Sequence, residues 1–234
     1  VSEANYATIS GGGPSSPNDP SVVSNNWVSD HYGTVGGGGF NMAGDGDRDH
    51  PTTEDPTTAE YATVGGGRGN VAKGIYSTVG GGANNAAAVG SVVAGGVANR
   101  ADQESGAVGG GWSNSAYASF TTIGGGANNI AGISVTEGEV TTWYGAYATI
   151  GGGNRNYLEG SYGTIGGGED NWIDRQGSYA TIGGGSLNVS EANYATISGG
   201  GPSSPNDPSV VSNNWVSDHY GTVGGGGFNM AGDG

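Results

Sequence analysis

The 234-residue chain has no cysteine, and only six lysines and arginines stand against 21 aspartates and glutamates. Without cysteine there are no disulfides. That fits a secreted protein that avoids them during export, and equally fits many cytosolic ones. A formal charge of −15 leaves no basic patch to neutralise phosphates, which argues against nucleic-acid or anionic-membrane partners. No apolar run approaches the ~18 residues of a membrane-spanning helix, and no signal-peptide pattern is present; the expectation is a mature region or piece of something longer. No window carries an i, i+3, i+4, i+7 apolar stripe, so helices are not expected. Glycine is abundant, at 53 residues, but without the strict Gly-X-Y period that collagen requires. The Gly-x-Ser-x-Gly and His-Glu-x-x-His motifs are missing.

What the chain does have is a repeat. Tyr-Ala-Thr-Ile-Gly-Gly-Gly at Tyr147–Gly153 returns at Tyr179–Gly185, with relaxed copies at Tyr61–Gly67, Tyr76–Gly82 and Tyr162–Gly168. Its Val or Ile serves as an anchor, at Ile9, Val35, Val64, Val79, Val93, Val108, Ile123, Ile150, Ile165, Ile182, Ile197 and Val223, and the commonest gap is 15 residues. An aromatic residue stands three before the anchor in most copies. Thr is usual one before it, Asn six after it, and a small or apolar residue eight after it.

Tyr-Ala-Thr-Ile alternates with period 2, placing Ala and Ile on one face and Tyr and Thr on the other, in residue types that suit strands. The glycines that follow supply positive φ or close backbone approach at a turn. The fold class is therefore all-β: a parallel β-solenoid, or β-roll, with one Gly-rich coil of ~15 residues per repeat. Each coil is expected to hold two strands of about five residues and roughly three inward side chains. The Asn positions should form one ladder through the stack and the Tyr positions a second. So thin a roll buries little apolar surface, and its Tyr–Thr stripe is expected to pack against copies of itself in a closed cyclic oligomer.

Residues 1–46 are identical to residues 189–234. The predicted organisation is one tandem block, 1–188, of about ten coils, with 189–234 starting the next identical block. An array of near-identical blocks explains this better than a deliberate overlap. Insertions at Pro14–Asp30, Gly44–Pro56 and Ile133–Tyr144 lengthen three coils and are expected to be outward loops. The third reads as a hairpin, with Glu137-Gly138 at its turn and Val135 and Val140 flanking it. Trp27, Trp143 and Trp215 fall in insertions, where covering coil edges is a better reading than ligand contact.

Candidate chemistry is sparse. Asp45, Asp47 and Asp49 alternate like the opening of a calcium loop, but His50 and Pro56 stand where such a loop wants Gly and Glu. A plain acidic loop is the favoured reading and calcium the alternative; no other cofactor is expected. Asp30 and His31 would make an acid/base pair, yet adjacent loop residues need no such role. Glu137, Glu139, Glu169 and Asp170 would serve a glycosidase only if spaced across a cleft. The expectation is that the protein is not an enzyme. Asn188-Val-Ser190 is a formal glycosylation sequon, but Asn188 is also its coil's ladder position.

With those residues in view, the repeat resembles the left-handed parallel β-roll head repeats of trimeric autotransporter adhesins, the YadA-like heads. Tyr61–Gly74 and Tyr147–Gly160 carry the likeness through their aliphatic-Gly step and their small-residue position. Asn replaces the family's Ser, the unit is a residue longer and the Gly run is fuller. The resemblance covers the ordinary coils and excludes the long insertions. It implies a homotrimer of thin rolls, extracellular or at the cell surface, working in attachment. The functional expectation is a structural repeat segment of an adhesin-like fibre, mediating attachment or filament formation, with a host-surface, matrix or polysaccharide ligand. The alternatives are a ligand- or ice-binding solenoid and a polysaccharide-binding trimer like a phage tail fibre.

Overall fold

A computed structural model describes residues 4–12, 25–46, 59–201 and 214–232. The architecture is all-β, a parallel β-solenoid, with no helix among the described residues. The coils group into two compact units, Val1–Ser113 and Asn114–Gly234.

Every ordinary coil is built alike. An anchor strand such as Thr63–Val64 pairs in parallel with the anchor strand of the next coil, Thr78–Val79. A return strand, Val71–Ala72, pairs likewise with Ala86–Ala87. A third contact runs between them, four residues after the anchor, as single parallel bridges: Gly39, Arg68, Ala83, Val97 and Trp112 in the first unit, and Ala127, Asn154, Glu169 and Ser186 in the second. The register never slips, so like residues stack on like. In the second unit Ile123 faces Ile150, Ile150 faces Ile165, and Ile165 faces Ile182.

The core is a set of inward columns. Ala62, Val64 and Ala72 are fully buried in one coil, and Ala148, Ile150 and Leu158 in another. The ladder asparagines are buried with them, Asn70 and Asn156 at 0% exposure. The period-2 expectation for the facing of Ala and Ile therefore holds, with a fourth, polar, inward position per coil. The expected strand length does not hold: strands in the coils are two residues long, because turns take up the rest.

Those turns use the left-handed region. The residue three before the anchor has φ near +60° whether it is Tyr147, Tyr162, Phe120, Gly90 or Ser105. It is the third residue of a β-turn, closed in one coil where the Ala148 N–H donates to the Gly145 carbonyl, 3.1 Å. Tyr is thus a turn residue rather than the first residue of a strand. A left-handed L-residue costs about 1–2 kcal/mol, while each stacked aromatic pair returns about 0.5–1.5 kcal/mol beyond area burial. The two are of similar size, and the turn itself accepts Gly90 or Ser105. Ring stacking, rather than the turn, explains the aromatic.

Asn26, Trp27 and Val28 take the ladder, outward and core positions of the first described coil; residues 13–24 and 47–58, which hold most of the first two insertions, lie outside the described residues. The expectation that Trp27 and Trp215 sit in insertions is thereby corrected: both lie on return strands, Trp27–Val28 and Trp215–Val216, paired with Met42–Ala43 and Met230–Ala231. Trp143 does lie in an insertion. That insertion is an antiparallel hairpin of Ile133–Glu137 with Val140–Tyr144. Its two-residue loop is Gly138-Glu139, with Gly138 at φ 64°, so Val135 faces Thr142 and Val140 faces Glu137. The turn sits one residue later than expected because Gly belongs at the first position of a two-residue loop whose first φ is positive. Across residues 188–189 the stack continues unbroken: Val189–Ser190 pairs with Trp172–Ile173 on one side and Trp215–Val216 on the other.

Candidate functional site

The coil offers four columns to chemistry: one buried and amide-based, and three that face outward.

The buried column is the asparagine ladder. Asn156 Nδ2 donates to the carbonyl of Gly152 in its own coil and of Gly168 in the next, each at 3.0 Å. Its Oδ1 accepts the backbone N–H of Asn171 at 3.1 Å. The same clamp recurs at Asn70, which reaches Gly66 and Gly82 and accepts from Asn85. A buried amide with every group satisfied specifies one register. Asn188 is fully buried, with its Nδ2 bonded to Asn171, Gly184 and Gly200. The ladder, not a glycan, occupies the sequon nitrogen.

The second column is aromatic. Tyr147, Tyr162, Tyr179, Tyr194 and Tyr220 stack with ring centroids 4.8–4.9 Å apart and planes within 6° of parallel. Phe120 extends the stack at 4.8 Å. Tyr6, Tyr32, Tyr61 and Tyr76 form the corresponding stack of the first unit, at 5.1, 4.8 and 5.2 Å. Because each ring face meets another ring, the stack presents edges and hydroxyls to solvent. The Tyr61 phenol is raised above the ordinary range, by desolvation first and then by Tyr32, Glu60 and Tyr76. Alongside runs the third column, the outward threonines. In the second unit Thr122, Thr149, Thr164, Thr181, Thr196 and Thr222 are in register.

The fourth column lies on the return strands. In the second unit, after the buried Ser115, its outward residues are Ile130, Tyr157, Trp172, Val189, Trp215 and Met230, in register. All but Met230 are half-buried, and the indole N–H groups of Trp172 and Trp215 are buried without an acceptor among the described residues. The expectation that three of the tryptophans would only cover coil edges missed this column, since the Val and Ala of other copies hide its position in the repeat.

Beside that column, Glu159 is 8% exposed. Burial raises its pKa, the neighbouring Asp174 adds to the rise, and Arg175, with the Tyr157 hydroxyl, works against it. Tyr157 is pushed up to about 12, chiefly by burial and then by Glu159. The fold therefore favours protonated Glu159. Its contribution is fully present below the ordinary value of 4.5 and is lost as pH rises through the raised folded value. Glu159→Gln is expected to raise the thermal midpoint at pH 7, with the gain vanishing below about pH 4.5; melts across that range, monitored by circular dichroism, check it. On an exposed corner, Arg155 holds Glu169 of the next coil at 3.0 Å and donates through Nε to Asp170 at 2.7 Å, which lowers the Asp170 carboxyl. That pairing gives Glu169 and Asp170 a coil-to-coil role.

The remaining candidates are placed as follows. Asp45 is exposed, and its backbone N–H donates to Asp30 Oδ2 at 2.9 Å. Asp47 and Asp49, the other two residues of the calcium reading, lie outside the described residues, as do His50 and Pro56. Among the described residues no cluster of three His, Cys, Asp or Glu side chains could hold a metal. His31 is not paired with Asp30; its Nδ1 accepts the backbone N–H of Asn5 at 3.1 Å, and His219 repeats this with Asn193. Glu137 closes the first strand of the hairpin and Glu139 lies in its two-residue loop. No protein-family model matches the chain, and no curated protein matches its sequence.

Proposed function

We propose that this chain is a structural segment of an extracellular or cell-surface fibre, adhesin-like, whose copies associate as a homotrimer and which works in attachment rather than catalysis. The observation that carries the reading is the half-buried column from Ile130 to Trp215 on the return strands, with two indole N–H groups lacking an acceptor among the described residues. Apolar residues and unpaired indoles at regular axial spacing fit a second copy of the same column, where rows of side chains interdigitate and the N–H groups find carbonyls or hydroxyls. This moves the expected interface from the Tyr–Thr stripe to the return face, because the tyrosine rings already satisfy one another within the chain. The asparagine clamp supports the mechanical part, since its hydrogen bonds run along the stack, where a fibre carries tension. The likeness of the repeat to trimeric autotransporter heads points the same way.

Light scattering with negative-stain imaging tests the assembly. Three chains per elongated particle is the expected result. Trp172→Lys is expected to give monomers with unchanged circular dichroism, because the side chain points outward. A monomeric wild type, or a trimer that tolerates this substitution, overturns the assignment. The net charge predicts that association strengthens as salt screens repulsion.

A second reading rests on the threonine column, whose even outward spacing suits an ice-binding face. Thermal hysteresis at high protein concentration would favour it, and its absence removes it. In the first unit Val92 and Ala107 break the column, which weighs against this reading.

A further inference from the structure

With no cysteine, no thiol pair ties one coil covalently to the next. Phenols stand at coil spacing instead. Nine of the twelve tyrosines belong to the two stacks, and every one of the nine is at least 42% exposed. Tyr162 and Tyr179 show the geometry best, with centroids 4.8 Å apart and planes 1° from parallel. Tyr117, Tyr144 and Tyr157 stand outside the stacks.

A phenol that gives up one electron and its proton becomes a neutral radical, with spin on its oxygen and on the two ring carbons ortho to it. In these stacks the neighbour of such a carbon is another tyrosine. We propose that the two tyrosine stacks are sites of oxidative cross-linking, at which a peroxide-driven one-electron oxidant joins neighbouring tyrosine rungs as dityrosine and fastens their coils together.

The step balances. Two adjacent phenols each lose one electron and one proton. The two radicals pair their spins in a new carbon–carbon bond between ortho positions. Each joined carbon then releases its hydrogen as a proton, each oxygen takes one up, and both rings regain aromaticity. Hydrogen peroxide accepts the two electrons and, with the two protons, becomes two waters. The chain loses two hydrogens per bond.

Three features favour the stacks over the other tyrosines. Neighbouring rings are held in contact, so coupling is intramolecular and gains from proximity. Their outer edges are open, which admits the oxidant and leaves room for two rings to tilt together. Tyr117, Tyr144 and Tyr157, by contrast, are half-buried and belong to neither stack. Each bond would close a loop one coil long, as a disulfide closes a loop, with the same restriction of the unfolded chain. The inference is independent of the fibre reading.

The test treats the full chain, dilute, with hydrogen peroxide and a haem peroxidase, and then maps the cross-linked peptides by mass spectrometry. The expected products are monomers lighter by two hydrogens per bond, with dityrosine fluorescence. Links between consecutive rungs such as Tyr147–Tyr162 and Tyr179–Tyr194 should exceed those involving Tyr117, Tyr144 or Tyr157 by about tenfold or more. Tyr162→Phe should remove the links to Tyr147 and Tyr179 and keep Tyr179–Tyr194; Phe120 already occupies a rung, so the substitution suits the fold. Links spread evenly over all tyrosines, links only between chains, or no reaction where free tyrosine couples in the same solution would each overturn the proposal. The wild-type map decides even if the variant misfolds.

Discussion

Asn156→Ala is expected to destabilise the second unit by about 2–6 kcal/mol, against a typical total of about 5–15 kcal/mol for a domain. The side chain is fully buried. Its loss orphans the carbonyl of Gly152 and the N–H of Asn171 and takes one of two donors from the Gly168 carbonyl, which keeps the Asn154 N–H. Each buried unpaired group costs about 1–3 kcal/mol. The lost packing of the side chain adds to this, and local relaxation takes some of it back. Asn154→Ala, two residues earlier, removes one exposed hydrogen bond to Glu169 and should shift stability by no more than about 0.5 kcal/mol. Asn156→Asp separates packing from hydrogen bonding. It keeps the volume and the acceptor but aims a carboxylate at two carbonyl oxygens, so it should be at least as damaging as Ala. Guanidinium denaturation of the three variants checks the ranking. Equal midpoints for the Asn156 and Asn154 variants would show that the ladder does not hold the stack.

Gly82→Ala and Gly81→Ala are expected to differ by several kcal/mol although they are adjacent in one Gly run. Gly82 has φ +84°, and a Cβ there would lie 2.1 Å from the Gly96 carbonyl oxygen and 2.9 Å from its nitrogen. Those atoms are backbone of the next coil, held there by the Ala83 N–H to Gly96 carbonyl bond. Neither side can yield without opening the ladder. To that overlap is added the left-handed cost of about 1–2 kcal/mol. A Cβ on Gly81 meets nothing within 4 Å, and Ala there narrows the unfolded ensemble, so a neutral or slightly stabilising effect of up to about 1 kcal/mol is expected. Thermal melts measure the difference. Hydrogen exchange at Ala83 localises it, since that amide should lose protection in Gly82→Ala alone. If both variants melt together, the close approach of coils at the third glycine is not what the run is for.

Much of this was readable along the chain. Period 2 in Tyr-Ala-Thr-Ile separated buried from exposed positions because a side chain's direction in extended backbone depends only on parity. The fixed spacing from anchor to Asn placed a ladder because equal coils superpose equal positions. Gly-Gly-Gly announced a backbone approach, although only the stack reveals that the third glycine meets the next coil and the second meets open space. The candidate surfaces were less legible. The tyrosine column followed from the repeat, but the return-strand column varies through Val, Ala, Arg, Ser, Ile, Tyr and Trp, and no residue type marks it.

The sequence by itself determined the repeat, the fold class and the inward side of the anchor strand, since these depend on local periodicity. Only the tertiary structure decided which residues count as coil. Asn41 lies six residues after its anchor and Asn26 seventeen after Ile9, yet both occupy the same ladder, joined by a 3.1 Å bond from Asn41 Nδ2 to Asn26 Oδ1. Distance along the chain cannot tell an inserted loop from a lengthened coil. A hydrogen bond between stacked amides can, because it depends on where the chain re-enters the coil and not on how far it travelled.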